Sequence, residues 1–534
     1  MKTQRTLLIL VAVFAFPLAV SGASAEPVQV ESGLVAGTSD GSLTVYKSIP
    51  FAAPPVGELR WRAPERPRHW SGIRAADKFG PICMQSGASV PGAAEEPVNE
   101  DCLTLSIWTP TKARNEKLPV MVWIPGGGFT QESASMPLYW GDALAKRGVI
   151  VVTINYRVGV FGFLAHPELT RESPNHSSGD YALLDQIAAL AWIQRNIAGF
   201  GGDPGRVTIW GQSAGSMSVN LLMASPLAHG LFQRAIGESG GFFIPPAATG
   251  STAGWFLAGA EQQGVKFAEA AGNPSEKSIE ALRKLPAEVI LKSSDAGTTH
   301  PIMDGYVLPE EPYFVFAAGR QNDVPLLVGS NADEARPLIA GKDIKLASFG
   351  EDVGKSFGGD TMRDLANGYL KIYSTTTDAQ ARETRARFER DLRFGWDVWT
   401  WARMQAKTGK SEVFYYYFQH SPPFPEGSPF SGWGAGHWQE LPYVFDHLSQ
   451  NQWAWTDADR TLANTIATYW TNFARTGNPN DAAAPLWPNF TTASQRVMCL
   501  DGAVAVDGVP NLEGLRLFDD RFAKMRADSI ALGK

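Results

Sequence analysis

The chain has 534 residues, 44% of them apolar and 19% charged, with 47 Lys and Arg against 54 Asp and Glu for a net charge of −7. This is ordinary globular composition, ample for a large core. The lack of basic excess or a basic stripe excludes a nucleic-acid partner, and the acidic balance serves solubility and favours neutral or cationic substrates over anionic ones.

In chain order, Lys2 and Arg5 precede an apolar run from Leu7 to Val20, followed by Ala23-Ser24-Ala25. Basic start, short apolar stretch and small-residue site read as a secretory signal peptide over 1–25, cut before Glu26. The chain is therefore expected to be secreted or periplasmic. The alternative, an uncleaved anchor, is disfavoured by the shortness of the run and by Pro17. No later segment is long and apolar enough to cross a bilayer. Residues 26–534 show no repeat, low-complexity linker or sharp shift in composition, and read as a single domain.

Of the three cysteines, Cys83 and Cys102 lie close in sequence and Cys499 lies far away. Export permits a disulfide, and a loop of the 83–102 size, if bridged, contributes about 3 kcal/mol. Three reduced cysteines are the alternative. No Cys/His group has zinc spacing, so neither a metal nor a cofactor is expected.

Leu118 to Ile124 reads as a buried strand ending in Gly126-Gly127-Gly128, and Val149 to Tyr156 as another. Tyr181 to Asn196 has helical periodicity. Val207 to Trp210 is a strand that runs into Gly211-Gln212-Ser213-Ala214-Gly215. Further strands are expected at Pro325 to Val328 and Val413 to Phe418. A long helix is expected from Ala458 to Arg475, closed by Gly477-Asn478-Pro479. Alternating strands and helices predict an α/β fold: a mostly parallel sheet flanked by helices. The helix-rich stretches 245–300 and 340–410 are expected to cap it.

The G-x-S-x-G turn carries the chemistry. A serine hydroxyl is a weak nucleophile until a base takes its proton. Small residues two positions before and after it let a strand turn sharply into a helix, which exposes the serine at a strained corner. When such a turn follows a strand, later elements supply an acid and then a histidine, in that chain order. Of eight histidines, His420, His437 and His447 lie late enough, and His437, in the loop Gly434-Ala435-Gly436-His437, is preferred. Asp333 and Glu334, behind the Pro325 strand, are adjacent candidates for the acid, and the pattern alone does not choose between them. Gly126-Gly127-Gly128, with the amide of Ala214, offers unobstructed N–H groups for an oxyanion.

These motifs, with Ile49-Pro50-Phe51-Ala52-Ala53-Pro54-Pro55-Val56-Gly57, Glu100-Asp101-Cys102-Leu103, Asn155-Tyr156-Arg157, Phe200-Gly201-Gly202-Asp203-Pro204 and Glu440-Leu441-Pro442-Tyr443, make the chain resemble the type-B carboxylesterases. The resemblance implies an α/β-hydrolase fold and a serine carboxylesterase. It implies Glu334 as the acid, Gly127, Gly128 and Ala214 as oxyanion donors, and Cys83 paired with Cys102. It also implies a hydrogen bond from Ser239 that supports the acid. The chain departs from that pattern at Gln212, where a glutamate is usual, and at Pro125, where His or Tyr is usual. Residues 84–101 contain no aromatic side chain to hold a choline cation.

The expected activity is hydrolysis of a small-molecule ester through Ser213, His437 and Glu334. Trp433, Trp438 and Phe129 stand near these positions and favour neutral, bulky or aromatic esters. The competing readings are a non-catalytic binding module on the same fold, an amide or lactone hydrolase with the same triad, and a lipase.

Overall fold

A computed structural model of the protein describes residues 23–531 except 87–95, 112–114, 132, 250–252, 272–276, 295–298 and 483. The expected leader, 1–25, lies outside the described residues but for its last three. A 12-stranded sheet runs through the molecule. Its centre is parallel: Ile150–Ile154, Leu118–Ile124, Gly202–Gln212, Arg234–Glu238, Leu326–Asn331, Val413–Phe418 and Arg496–Leu500 follow one another across it. Antiparallel strands extend both edges, Leu43–Pro50 and Thr104–Pro110 on one side and Ala505–Gly508 on the other. A separate 3-stranded sheet is formed by Val28–Val30, Gly33–Ala36 and Ile73–Ala75.

The central strands are apolar on both faces because helices cover both. Successive residues point to opposite sides. Val120, Val122 and Ile124 therefore pack into the core that holds the helices Tyr181–Asn196 and Ala214–Ala224. Met121 and Trp123 enter the other core, with Leu462, Ile466 and Trp470 of the helix Asp457–Thr476. All of these strand residues are fully buried, and each such side chain stabilises the fold by about 1.5–3 kcal/mol. The helix Asp457–Thr476 matches its expected limits closely. Thr456 and Asp459 cap its start reciprocally, and Gly477, at φ 84°, ends it.

Among the described residues the stretches 245–300 and 340–410 are helix-rich, as expected. The second contains a π-helical turn, Asp391–Gly395, between the helices Asp378–Arg390 and Trp396–Thr408. A final helix, Leu512–Ala531, was not visible as a pattern. Cys83 and Cys102 form a disulfide, with Cα atoms 5.0 Å apart, and Cys499 is free.

Candidate active site

The strand Gly202–Gln212 ends at Ser213, whose φ of 58° and ψ of −124° place it in a conformation unfavourable for a residue with a Cβ. Such strain costs about 1–3 kcal/mol and needs a surrounding structure that enforces it. Two backbone bonds do so: Ser213 N–H donates to Glu238 O at 2.9 Å, and Met217 N–H donates to Ser213 O at 2.9 Å. The glycines around the serine are required for space. A Cβ on Gly211 would lie 2.5 Å from the carbonyl oxygen of Ile124, and one on Gly126 would lie 2.6 Å from that of Gln212. A Cβ on Gly215 would run into the Ile124 carbonyl as well.

His437 is brought to the same place from the far end of the chain. Its loop is held on both sides by the strand Leu326–Asn331 and by Asp333 just beyond the strand's end. Asp333 N–H donates to Ala435 O at 2.9 Å, Ala435 N–H donates to Asp333 Oδ2 at 3.1 Å, and Asn331 Nδ2 donates to Gly436 O at 2.8 Å. His437 Nδ1 lies 2.6 Å from Glu334 Oε2. The other oxygen, Oε1, accepts from Asn331 N–H at 2.7 Å. An ionised Glu334 therefore fixes the imidazole proton on Nδ1 and leaves Nε2 as the acceptor. Phe394 stacks on the imidazole, with ring centroids 4.5 Å apart and planes at 22°. The amide nitrogen of Gln212 lies 3.3 Å from both ring nitrogens. A point equidistant from both at that range, if in the ring plane, would collide with Cε1. The amide therefore lies over the ring face, and the imidazole is held between Gln212 and Phe394.

The alternatives left open by the sequence are engaged elsewhere. Asp333 pairs with Arg336 at 2.6 Å. His420 faces Asp459 at 2.8 Å and Asp501 at 3.1 Å, and His447 faces Asp142 at 2.9 Å. The hydrogen bond expected from Ser239 to the acid is not formed. Ser239 Oγ is buried without a partner, and both Glu334 oxygens are taken by Asn331 and His437. Among the described residues the Ser213 hydroxyl makes no hydrogen bond with His437. Such bonds are often long before substrate binds.

Ser213 and His437 open onto a cavity of about 630 Å³. Gly126, Gly127 and Gly128 form one wall. Gly127 (φ 96°) and Gly128 (φ 65°) turn in the left-handed region, where glycine is favoured. Among the described residues their N–H groups donate to no protein acceptor, which leaves them free for a developing oxyanion. Ala214 begins the helix behind the serine, and its N–H is one of the unpaired donors of a helix start. The remaining walls are largely aromatic: Tyr139, Phe242, Trp255, Phe394 and Trp438. Of the aromatics singled out in the sequence, Trp438 lines the cavity. Trp433 packs against it at 5.9 Å, and Phe129 turns away onto Phe163 at 5.4 Å.

Two further carboxyls lie buried beneath the site. Burial pushes Glu238 up to about 8, although Trp470 Nε1 donates to it at 2.6 Å. Glu440 is also raised well above the usual range, first by burial and then by the neighbouring carboxylates of Glu334 and Glu238. Protonated, both keep negative charge from accumulating around Glu334. Asp397, Arg393, Leu338 and Met217 also line the cavity. Arg393 and Asp397 were not singled out in the sequence, because no local motif marks a residue that an insertion carries to a site built elsewhere, and Met217 and Leu338 look there like ordinary apolar core. Among the described residues no His, Cys, Asp and Glu group could hold a metal ion.

Residues 24–512 match the model of the carboxylesterase family. The chain is similar to a fumonisin B1 esterase of Sphingopyxis macrogoltabida, 37% identical over 86% of this chain and 84% of that protein. It is 35% identical to a para-nitrobenzyl esterase of Bacillus subtilis (strain 168), over 91% and 97% of the two chains. A solved structure of a PNB esterase superposes with a TM-score of 0.79 at 32% identity, covering 92% of this chain and 99% of that one.

Proposed function

Because the chain belongs to the carboxylesterase family, and so is a carboxylic-ester hydrolase, we propose that it works through a Ser213–His437–Glu334 triad and an acyl-enzyme. His437 Nε2 takes the proton of Ser213 Oγ as the oxygen attacks the ester carbonyl. Glu334 holds the imidazole tautomer and steadies the imidazolium that forms. The N–H groups of Gly127, Gly128 and Ala214 receive the oxyanion. The alcohol leaves with the proton from His437, and water then cleaves the acyl-enzyme by the same route. The observation that carries this reading is the 2.6 Å contact between Glu334 and His437, on a cavity shared with the strained Ser213.

Gln212 contributes no charge to the imidazolium, so among the described residues Glu334 is its sole hydrogen-bonded carboxylate. The aromatic walls and the cavity volume support bulky or aromatic esters as substrates. We further propose that residues 1–25 direct export to the periplasm or beyond and are removed there, leaving 26–534 as one hydrolase domain. The Cys83–Cys102 bridge supports an oxidising compartment.

Turnover of 4-nitrophenyl acetate, butyrate and octanoate by the purified protein tests the triad. Loss of about 10⁴-fold or more in kcat is expected for Ser213→Ala and for His437→Ala. Retention of turnover in a folded Ser213→Ala protein would discard the triad. A chain-length optimum at octanoate, rising at the solubility limit, would favour the lipase reading.

A further inference from the structure

The whole chain is acidic, yet the cavity wall carries a cation. Arg393 lies in the π-helical turn Asp391–Gly395, directly before the Phe394 that covers His437, and it lines the same cavity. Its Nε donates to Glu389 Oε2 at 3.2 Å, and its guanidinium lies 4.8 Å from the Phe357 ring centroid. These two contacts fix the stem and one face of the group. Among the described residues Nη1 and Nη2 donate to no protein acceptor.

Nor is the charge of Arg393 balanced locally. Glu389 is fully buried and is shared by Arg385 at 2.8 Å, Lys342 at 3.6 Å and Arg393. One carboxylate thus serves three cations. Among the described residues the one carboxyl on the cavity wall is Asp397, which stands there with the ionisable His437 and Tyr139. Burial pushes Asp397 up to about 7, and its Oδ1 already accepts from Phe243 N–H at 2.9 Å. It offers at most a partial counter-charge. A planar fork whose two terminal nitrogens are both free is well suited to a carboxylate, which it binds through two parallel hydrogen bonds.

We propose that this hydrolase acts on esters that bear a free carboxylate away from the scissile bond, and that Arg393 is the specificity residue that holds it. The proposal rests on the reading of Ser213 as the nucleophile of this cavity. The reaction is unchanged: the acyl–oxygen bond breaks, water supplies the hydroxyl of the released acid, and the alcohol takes the proton. The carboxylate serves only to seat the substrate, so its contribution belongs in KM more than in kcat. The preference for neutral substrates suggested by net charge is then overridden at short range by the wall itself.

Two matched pairs test this and separate the two ends of the ester. On the acyl side, the 4-nitrophenyl monoester of glutaric acid is compared with its methyl diester. On the alcohol side, the acetate of 4-hydroxybenzoic acid is compared with that of its methyl ester. Within at least one pair the free acid is expected to have the higher kcat/KM, and that pair tells which end Arg393 reads. In Arg393→Gln the ratio of acid to methyl ester is expected to fall about 10-fold, with Arg393→Lys in between. The wild-type ratio should also fall as NaCl is raised to about 0.5 M, because the Arg393 side chain is 39% exposed and therefore screened. The salt measurement stands even if Arg393→Gln fails to fold. Ratios at or below one in both pairs, or a ratio that neither Arg393→Gln nor salt moves, would overturn the proposal while leaving the triad intact. No turnover of any of the four esters would overturn both.

Discussion

At the scale of single residues, the site depends on groups kept in an unusual charge state by their surroundings. Glu238 is the clearest. Its backbone oxygen anchors Ser213 and its side chain is fully buried, with one oxygen on Trp470 and the other, Oε2, unpartnered. Burial raises its folded value to about 8 from an ordinary 4.5. Between those values the folded protein binds a proton that the unfolded chain has released. Its effect on stability is therefore favourable at low pH and is lost as pH rises from about 4.5 to about 8. Glu238→Gln keeps an acceptor for Trp470 and cannot ionise. Urea midpoints measured from about pH 5 to 9 should fall with pH more steeply for the wild type than for Glu238→Gln. Parallel curves would show that Glu238 does not titrate in this window. The resemblance marked the neighbouring Ser239 for a polar role, and nothing in the sequence marked Glu238. A buried carboxyl looks like any other glutamate until the fold shows that water is absent.

At the scale of elements, the turn between the strand Gly202–Gln212 and the helix Ala214–Ala224 was the most legible part of the chain. Most of the steric demand there is met by residues within five positions, with Gly126 of the neighbouring strand end supplying the rest. Gly215 is the tightest point, because the helix start sits directly against the carbonyl of Ile124 in the neighbouring strand. Gly215→Ala should destabilise the protein by about 1–3 kcal/mol through overpacking. It should also reduce kcat for 4-nitrophenyl butyrate by more than Gly205→Ala, a change at an exposed turn of the same strand where the nearest contact is the Asp203 side chain at 3.2 Å. Equal effects at the two positions would mean that closure of the turn is not what aligns the serine. The His437 loop was legible only in part. Its glycines pointed to a turn, but Asp333 could be assigned to bracing the loop, and Glu334 to the imidazole, only once the strand Leu326–Asn331 had placed both. The resemblance chose Glu334 earlier than the residue pattern could. The π-helical turn that carries Arg393 and Phe394 left no trace in the sequence, since no local motif there signals the extra residue in the turn.

At the scale of the whole molecule, the cavity is assembled from the end of the sheet and the two helical insertions, and a helix near the C-terminus braces it from behind. That last helix, Leu512–Ala531, escaped the sequence reading because its short apolar stripe, Leu515, Phe518 and Phe522, is interleaved with charged residues and continued by the buried Arg526. The structure gives it a bracing role. Asp519 accepts from Arg403 at 2.7 Å and from Trp396 Nε1 at 3.1 Å, both on the helix that comes after the π-helical turn. Arg526 donates to the carbonyl of Phe243, next to the cavity-lining Phe242, and stacks 3.6 Å from the centroid of Tyr313. Phe518 and Phe522 are fully buried, with Phe518 against Phe388 at 5.2 Å and Phe522 against Trp396 at 4.7 Å. The helix thus fastens the second insertion, and through it Arg393, Phe394 and Asp397, and ties down Phe243 at the entry to the first. Phe518→Ala should cost about 3–5 kcal/mol at its site. The sheet should survive this loss better than the insertions do, because its strands are buried on both faces by other elements. In a urea titration of Phe518→Ala, esterase activity is expected to disappear at a lower concentration than the far-ultraviolet signal of the sheet and its flanking helices, whereas the wild type should lose both together. Coincident loss in the variant would show that the insertions and the sheet form one cooperative unit, and that the C-terminal helix stabilises the molecule as a whole rather than the cavity in particular.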